Sequence, residues 1–394
     1  MLIAIAFNTA LKEKDMCSKQ INALTGVRGI AALWVVVLHG ANYTNVSTLL
    51  PEWTSNLINK GWLGVDLFFI LSGFVIAYVH QKDFYRLNYS LITKFLKLRL
   101  ARIYPAHLAA TLILLPIVVG ASVFSIYSLS QGTYASYDLK RLLFSITLTN
   151  GWGIPDSNGW NFPSWSVASE WFAYLMFPPI AWAFNKIKSA KFFITLIVLI
   201  FFIMHLAAIT MNDASQYMPQ AQWILLRVAS EFIIGCCLFN IFTQVPQILC
   251  TDTAAVSIIG IIIFVCIIGL PAFFDGLIII LFSLLILNLS RANGFVARVL
   301  SGNIMIYLGR ISYSIYLTHF TVLIVFNQVL KRTNFIEQSS IEYLLLFYTG
   351  YITISILSGN VLFSLIENPC RRLLRTNWIE KSSKAVYNKT ENTI

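Results

Sequence analysis

The sequence predicts an all-α, polytopic membrane protein: a bundle of about ten transmembrane helices with both termini in the cytoplasm. Three observations support this prediction. The 394 residues are 57% hydrophobic and only 11% charged, whereas a soluble globular protein carries roughly 25% charged residues. The apolar residues form repeated runs of about 20, the length at which a helix spans the hydrocarbon core of a bilayer. The lysines and arginines are unevenly shared between the segments that connect these runs.

Each apolar run predicts one membrane-spanning helix. The ten runs cover residues 22–41, 61–80, 103–123, 164–184, 192–210, 223–243, 254–270, 274–290, 306–329 and 342–365. A further apolar piece, 141–149, is too short to cross. The chain therefore divides into a cytoplasmic N-terminal segment (1–21), a transmembrane domain (22–366) and a basic cytoplasmic tail (367–394).

Positively charged residues predict the orientation, because cytoplasmic loops are enriched in lysine and arginine. With the N-terminus inside, 22 of the 28 lysines and arginines fall in inner segments or the adjoining helix ends, and five fall in outer segments. The remaining one, Arg227, lies inside a span. The net charge of +11 thus follows from membrane topology, and nucleic acid is not expected as a partner.

Ionisable side chains inside spans cost several kcal/mol unless they face a cavity or a partner, so they are candidates for function. Arg28 and His39 are eleven residues apart, which is three helical turns, and therefore share one face of the first span at a separation of roughly 16 Å. Asp66 lies near the outer end of the second span and can meet His39 at similar depth if the two helices pack together. A carboxylate beside an imidazole fixes its tautomer, as expected for a general base. A histidine that merely packs against a backbone carbonyl is the alternative.

A basic cluster precedes the third span and contains Lys94, Lys97, Arg99 and Arg102. Ordinary positive-inside topology or anionic lipid binding explains such a cluster. Together with Arg28, the cluster is also suited to a phosphate-rich ligand, because the planar guanidinium binds two phosphate oxygens at once. Both interpretations remain open at this stage.

Other residues in the spans have a structural interpretation beside the functional one. Gly61, Gly64 and Gly73 are small residues that let helices approach closely. Hydroxyl groups such as those of Ser166 and Tyr316 more often bond across helices than take part in chemistry.

Six stretches, in this order, resemble the acyltransferase-3 family of bacterial membrane acyltransferases over roughly residues 20–375. They are Arg28 and His39 with ten residues between them, GVDLFFILSGFVIAY with Asp66, RLARIYP with Arg99 and Arg102, SWSVASEWFAYLMFP with Trp165, Ser166 and Glu170, GRISYSIYLTHF with Tyr316 and His319, and FSLIENPCRRLL with Glu367. Each string is short, but their number, their order and the ten-span topology make the resemblance specific.

The resemblance implies an enzyme of the bacterial cytoplasmic (inner) membrane that moves an acyl group, usually acetyl, from cytoplasmic acyl-coenzyme A to a hydroxyl group outside the cytoplasm. The implied acceptor is a cell-surface glycan or a lipid-linked sugar, with lipopolysaccharide O-antigen and exopolysaccharide as leading examples. Acetyl-coenzyme A is then a co-substrate, and membrane lipid surrounds the protein. No permanently bound cofactor and no metal are expected.

The resemblance also implies roles for individual residues. His39, Asp66 and Glu170 are the expected catalytic residues, Arg28, Arg99 and Arg102 are expected to bind the phosphates of the donor, and Trp165, Ser166, Tyr316 and His319 are expected to contact the acceptor. Direct transfer with His39 as general base and an acyl-histidine intermediate are both compatible with these residues.

Two other classes of function compete with this hypothesis. A transporter or flippase of a lipid-linked or small-molecule substrate would also bury charges, although it favours inverted repeats, and the two halves of the chain show no such symmetry. A scaffold for envelope enzymes would use the same charges only to hold helices together.

Overall fold

A computed structural model describes residues 2–41, 44, 49–123, 137–154, 159–210, 223–244, 250–271, 273–333 and 340–376. The regular elements within these ranges are all helical. They are α1 (Leu2–Ala41), α2 (Glu52–Asn59), α3 (Leu63–His80), α4 (Tyr89–Val123), α5 (Leu139–Ile146), α6 (Trp165–Phe184), α7 (Ala190–Thr210), α8 (Ile224–Phe242), α9 (Asp252–Ile268), α10 (Asp275–Leu289), α11 (Phe295–Leu300), α12 (Asn303–Thr333) and α13 (Ile341–Leu362). The all-α prediction is confirmed for the described residues.

Each predicted span coincides with one of these helices, and seven stretches of the described chain are long and apolar enough to cross a membrane. The seven are Asn22–Ala41, Glu52–Phe84, Tyr89–Val119, Ala190–Ala207, Ile224–Phe242, Asn303–Phe326 and Ile341–Thr376. Helices α9 and α10 are apolar but shorter. Helix α6 has 20 residues, but serine, glutamate, tryptophan and proline reduce its hydropathy. The count of ten spans and the cytoplasmic location of the termini therefore stay predictions.

The predicted segment boundaries are not marked by breaks in the helices. Helix α1 is continuous from Leu2, so its backbone includes most of the predicted N-terminal segment 1–21. Helix α13 passes into a π-helical turn, Phe363–Glu367, and helical backbone continues to residue 376. The end of the predicted tail, 377–394, lies outside the described residues.

Residues 141–146 of the short apolar piece 141–149 form the end of α5, and 147–149 follow that helix. With eight residues, α5 is too short to cross a bilayer. Asp138 caps its N-terminus, accepting a hydrogen bond of 2.7 Å from the backbone N–H of Arg141. This bond lowers the pKa of the exposed Asp138 carboxyl, since it favours the charged form.

Helix α1 lies between α3 and α12, and α3 also packs against α8. Glycines allow the close contacts, as predicted. A Cβ atom on Gly73 would lie 2.0 Å from the carbonyl oxygen of Phe232 in α8. A Cβ on Gly64 would lie 2.8 Å from the carbonyl oxygen of Ala31 in α1. Because α1 is flanked on two sides, its polar residues can face the protein interior rather than lipid.

Candidate active site

A cavity of about 120 Å³ lies between α1, α3, α4, α6 and α12. Its polar lining consists of Arg28, Ser72, Arg99, Arg102, Ser166, Glu170, Tyr174, Tyr313 and Tyr316. The cavity therefore brings together six of the ten site residues that the sequence predicted. It does not include His39, Asp66, Trp165 or His319 in its wall.

Three arginines give this cavity its positive charge. Arg99 and Arg102 are three residues apart and so project from one side of α4, and Arg28 approaches from α1. The guanidinium carbon of Arg28 lies 5.9 Å from the ring centre of Phe68. Within the described ranges, none of the three arginines forms an ion pair with a carboxylate. The charges of Glu170 and Glu367 act on Arg28 and Arg102 from beyond ion-pair distance. The arrangement is suited to an anionic group, because the guanidinium groups line an open space without a carboxylate in direct contact.

Glu170 points into the same cavity and is held there by two hydroxyl groups. Its Oε1 atom accepts a hydrogen bond of 2.9 Å from Ser72 Oγ and another from the Tyr174 hydroxyl. Tyr174 is four residues after Glu170 and therefore lies on the same side of α6. Glu170 is thus oriented at the site by neutral donors, although its catalytic role stays a prediction.

Ser166 and Tyr316, both predicted to contact the acceptor, meet on the cavity wall. Ser166 Oγ donates a hydrogen bond of 2.8 Å to the Tyr316 hydroxyl oxygen. That hydroxyl in turn donates to the carbonyl oxygen of Pro163 at 3.1 Å. On its other side, the Tyr316 ring lies 5.6 Å from the ring of His319, measured between centroids. Tyr316 therefore lies between the cavity and the two histidines.

His39 and His319 form a pair with ring centroids 5.0 Å apart. A carbonyl oxygen can only accept, so the contact of 2.6 Å between His319 Nδ1 and Tyr316 O places a proton on His319 Nδ1. Likewise, the contact of 2.9 Å with Val35 O places a proton on His39 Nδ1. The lone pair of His319 Nε2 then faces His39 Nδ1 at 3.3 Å. In the neutral ring, His39 Nε2 then carries no proton, and it has no hydrogen-bond partner among the described residues; a general base requires such a free nitrogen.

The surroundings of His39 show that its ring faces the protein. The rings of Phe162 and Phe320 each lie 6.1 Å from it, both edge to face. Arg28 lines the cavity, and His39 lies three turns further along the same helix.

The predicted contact between His39 and Asp66 is wrong. Helices α1 and α3 do pack together, but the fully buried Asp66 is directed to α8, where its Oδ1 accepts from Arg227 Nε at 2.7 Å. Arg227 also lies 3.5 Å from Glu231 Oε1. A buried carboxylate is stabilised by a cation nearby, and an arginine is permanently charged whereas a histidine is not.

A second ion pair accompanies this one. Lys60 Nζ lies 2.6 Å from Asp275 Oδ1 and donates to the carbonyl oxygen of Leu270 at 2.8 Å. The charges of Asp66 and Arg227 act on Asp275. We refer to Lys60, Asp66, Arg227, Glu231 and Asp275 as the buried ion cluster.

Trp165 lies beside the cavity, and its contact with the acceptor stays a prediction. Its ring packs near that of Phe69, at 6.4 Å between centroids, and it does not line the cavity. Conversely, the sequence reasoning missed Ser72 and Tyr174 as partners of Glu170. The spacing of four residues between Glu170 and Tyr174 was a usable signal, whereas the contact of Ser72 depends on the packing of α3 against α6.

Comparison with known proteins identifies the family. The sequence model of the acyltransferase-3 family, described as an acyltransferase domain, matches residues 21–359. Acyltransferase MdmB of Streptomyces mycarofaciens is 26% identical over 382 residues, which cover 90% of this chain and 92% of MdmB. No solved structure matches the chain.

Two relatives from Staphylococcus aureus are longer proteins. Putative O-acetyltransferase SACOL0978 of strain COL is 25% identical, and the match covers 91% of this chain and 59% of that protein. O-acetyltransferase OatA of strain NCTC 8325 is 24% identical, with coverage of 91% and 58%. The chain thus spans nearly the whole length of MdmB but about three fifths of the staphylococcal proteins. With the family model covering most of its length, the chain belongs to the acyltransferase-3 family and is an acyltransferase.

Proposed function

We propose that this acyltransferase moves an acetyl group from cytoplasmic acetyl-coenzyme A to a hydroxyl group of a glycan or lipid-linked sugar outside the cytoplasm, working in the bacterial inner membrane. The observation that carries the proposal is the cavity wall with Arg28, Arg99 and Arg102, none of them paired with a described carboxylate. Coenzyme A carries a diphosphate and a 3′-phosphate, which are the groups that arginine forks bind best. The relatives named O-acetyltransferases support acetyl as the group transferred.

The chemical step is assigned to His39. Its Nε2 atom removes the proton from the sugar hydroxyl while the hydroxyl oxygen attacks the thioester carbonyl carbon. The new C–O bond forms, the C–S bond breaks, and the imidazolium returns its proton to the departing thiolate, so that the products are the acetyl ester and free coenzyme A. His319 keeps the His39 ring in place through the contact of 3.3 Å at Nδ1.

The binding of the acceptor sugar, or the stabilisation of the oxyanion, is assigned to polar groups of the cavity wall. Ser166 and Tyr316 offer hydroxyl groups there, and Glu170 offers a carboxylate. Such groups orient a sugar hydroxyl or stabilise the negative charge that develops on the carbonyl oxygen.

The cavity volume sets a requirement on binding. About 120 Å³ holds a phosphate-sized group, whereas sites for complete small molecules usually measure roughly 300–1,000 Å³. The cavity therefore suits one phosphate-sized part of the donor, and the rest of the donor is expected to lie outside it.

The test is an assay of the purified protein in lipid nanodiscs with radiolabelled acetyl-coenzyme A and a cell-envelope glycan fraction. The expected result is release of free coenzyme A together with label on the sugar. Movement of a substrate across the bilayer without thioester cleavage would contradict the proposal. Mass spectrometry of surface glycans from cells with and without the protein then identifies the acyl group from the mass difference, and the fraction that carries it identifies the acceptor.

The His39→Ala variant is expected to abolish transfer while the protein remains in the membrane at its normal level. The matched control is His205→Ala, which removes a histidine from α7 whose ring packs on Phe273 rather than near the cavity. A His39→Ala variant that retains activity would remove His39 from the mechanism.

A further inference from the structure

His80 ends α3 next to the cavity and makes one contact through each ring nitrogen. Its Nε2 atom lies 3.1 Å from Nη2 of Arg99, and its Nδ1 atom lies 3.0 Å from Oδ2 of Asp83. A guanidinium has only donors, so His80 Nε2 must accept from Arg99. The ring proton is therefore on Nδ1, from which it is donated to Asp83. These two contacts define His80 as a neutral imidazole of one tautomer.

Arg99 has few other restraints. Its guanidinium carbon lies 5.6 Å from the ring centre of Phe95, and the ring of His80 also packs edge to face against Phe95, at 5.3 Å. The Nε atom of Arg99 is buried and has no hydrogen-bond partner in the described part of the chain. A free arginine side chain has high rotamer entropy. The hydrogen bond that Arg99 donates to His80 therefore restricts where the guanidinium lies.

The group that accepts the hydrogen bond of Arg99 determines whether the positive charge of Arg99 stays available. A carboxylate at this place would orient Arg99 but would also neutralise it. A neutral imidazole orients the guanidinium and leaves its positive charge available to an anion. The other two cavity arginines, Arg28 and Arg102, have no such neutral acceptor among the described residues.

We propose that His80 is a positioning residue that holds Arg99 in the orientation that binds a phosphate of the coenzyme A donor. This inference rests on the function proposed above. His80 does not itself contact the donor in this arrangement; it acts through Arg99. Loss of His80 should therefore weaken donor binding without a comparable change in the rate of the chemical step.

The test compares the KM for acetyl-coenzyme A and kcat in four variants: His80→Leu, His80→Gln, Arg99→Gln and the double variant His80→Leu/Arg99→Gln. We expect His80→Leu to raise KM about tenfold, the usual loss for a hydrogen bond to a charged group, with kcat nearly unchanged. His80→Gln should restore most of the affinity, since its amide oxygen accepts from Arg99. In the Arg99→Gln background, His80→Leu should add nothing, because the two residues act as one unit.

Two outcomes would overturn the inference: independent, additive losses in the double variant, or a loss in His80→Gln equal to that in His80→Leu. Thermal unfolding of each variant and the control His205→Gln separate these results from misfolding. A failure of the proposed function has a different signature, because the unmodified protein itself would then neither bind nor cleave acetyl-coenzyme A.

Discussion

The protein contains two buried groups of charged residues that are built in opposite ways. In the buried ion cluster, Arg227 and Lys60 each contact a carboxylate at 2.7 Å or less, and their residues are at most 8% exposed. In the cavity, Arg28 and Arg102 face an open space and have no carboxylate partner within the described ranges. Arg227 of the ion cluster and Arg28 of the cavity look alike in the sequence, because each is a charged residue in an otherwise apolar predicted span.

The presence or absence of a direct ion-pair partner distinguishes charges that stabilise the fold from charges that can bind a ligand. Burying an ion costs several kcal/mol and is tolerated when a partner compensates it. Where the compensation is internal, as in the buried ion cluster, removal of a partner should damage the fold. In the cavity, Glu170 and Glu367 act on the arginines without a direct ion pair. The guanidinium groups are therefore free to contact an anionic ligand, and removal of the cation should damage binding.

The largest expected effect is on the buried ion cluster. Arg227→Met leaves Asp66 and Glu231 buried without their cation, which should reduce the free energy of unfolding by about 3–5 kcal/mol. Thermal unfolding in detergent and the protein level in the membrane measure this loss. Arg28→Met, the matched cavity variant, should unfold at nearly the normal temperature. Equal destabilisation by both substitutions would remove the distinction between the two groups.

The next effect concerns donor binding. Arg28→Met and Arg102→Gln should each raise the KM for acetyl-coenzyme A about 10- to 100-fold, because a charge-assisted hydrogen bond is worth about 1.5–3 kcal/mol. Lysine at either position should recover only part of the affinity, since it lacks the planar fork. Steady-state kinetics with the donor varied give these values. If KM stays constant while thermal stability falls, the cavity arginines stabilise the fold, as the buried ion cluster does, and do not bind the donor.

A smaller effect is expected for the carboxylate of the cavity. Tyr174→Phe removes one of the two hydroxyl groups that hold Glu170, and kcat should fall about fivefold, as for loss of one ordinary hydrogen bond. Glu170→Gln should have the greater effect on kcat, because it removes the charge itself. A larger loss of kcat in Tyr174→Phe than in Glu170→Gln would indicate that Tyr174, not Glu170, acts on the substrate.

The smallest effect is expected for an exposed pair outside the spans. Asp138→Ala removes the N-cap of α5 and should cost about 1 kcal/mol, seen as a small decrease in the unfolding temperature. Since the pKa of Asp138 is lowered in the folded protein, its contribution is present above the unfolded value of about 3.9 and is lost as pH falls through the folded pKa. Wild type and Asp138→Ala should therefore converge in strongly acidic buffer, and a constant difference down to the lowest pH would contradict this account.

Much of the architecture was predictable because hydropathy is a local property. The ten apolar runs coincide with helices, and the helical period places Arg28 and His39 on one side of α1. The spacing of Arg99 and Arg102 likewise put both on the same side of α4, where they line the cavity. The partner of Asp66 was not predictable in the same way, because it depends on how far α3 is rotated about its axis relative to α8.

The local order of residues thus determines which segments are helical, which residues share a face, and that charges lie within apolar helices. It does not determine which of those charges are compensated. That depends on helix packing, since Arg227 reaches Asp66 only because glycines let α3 and α8 approach, and His80 reaches Arg99 only because α3 ends beside α4. Contacts between side chains on different helices are set by rotation and separation of the helices, and neither quantity is encoded in the periodicity of a single helix.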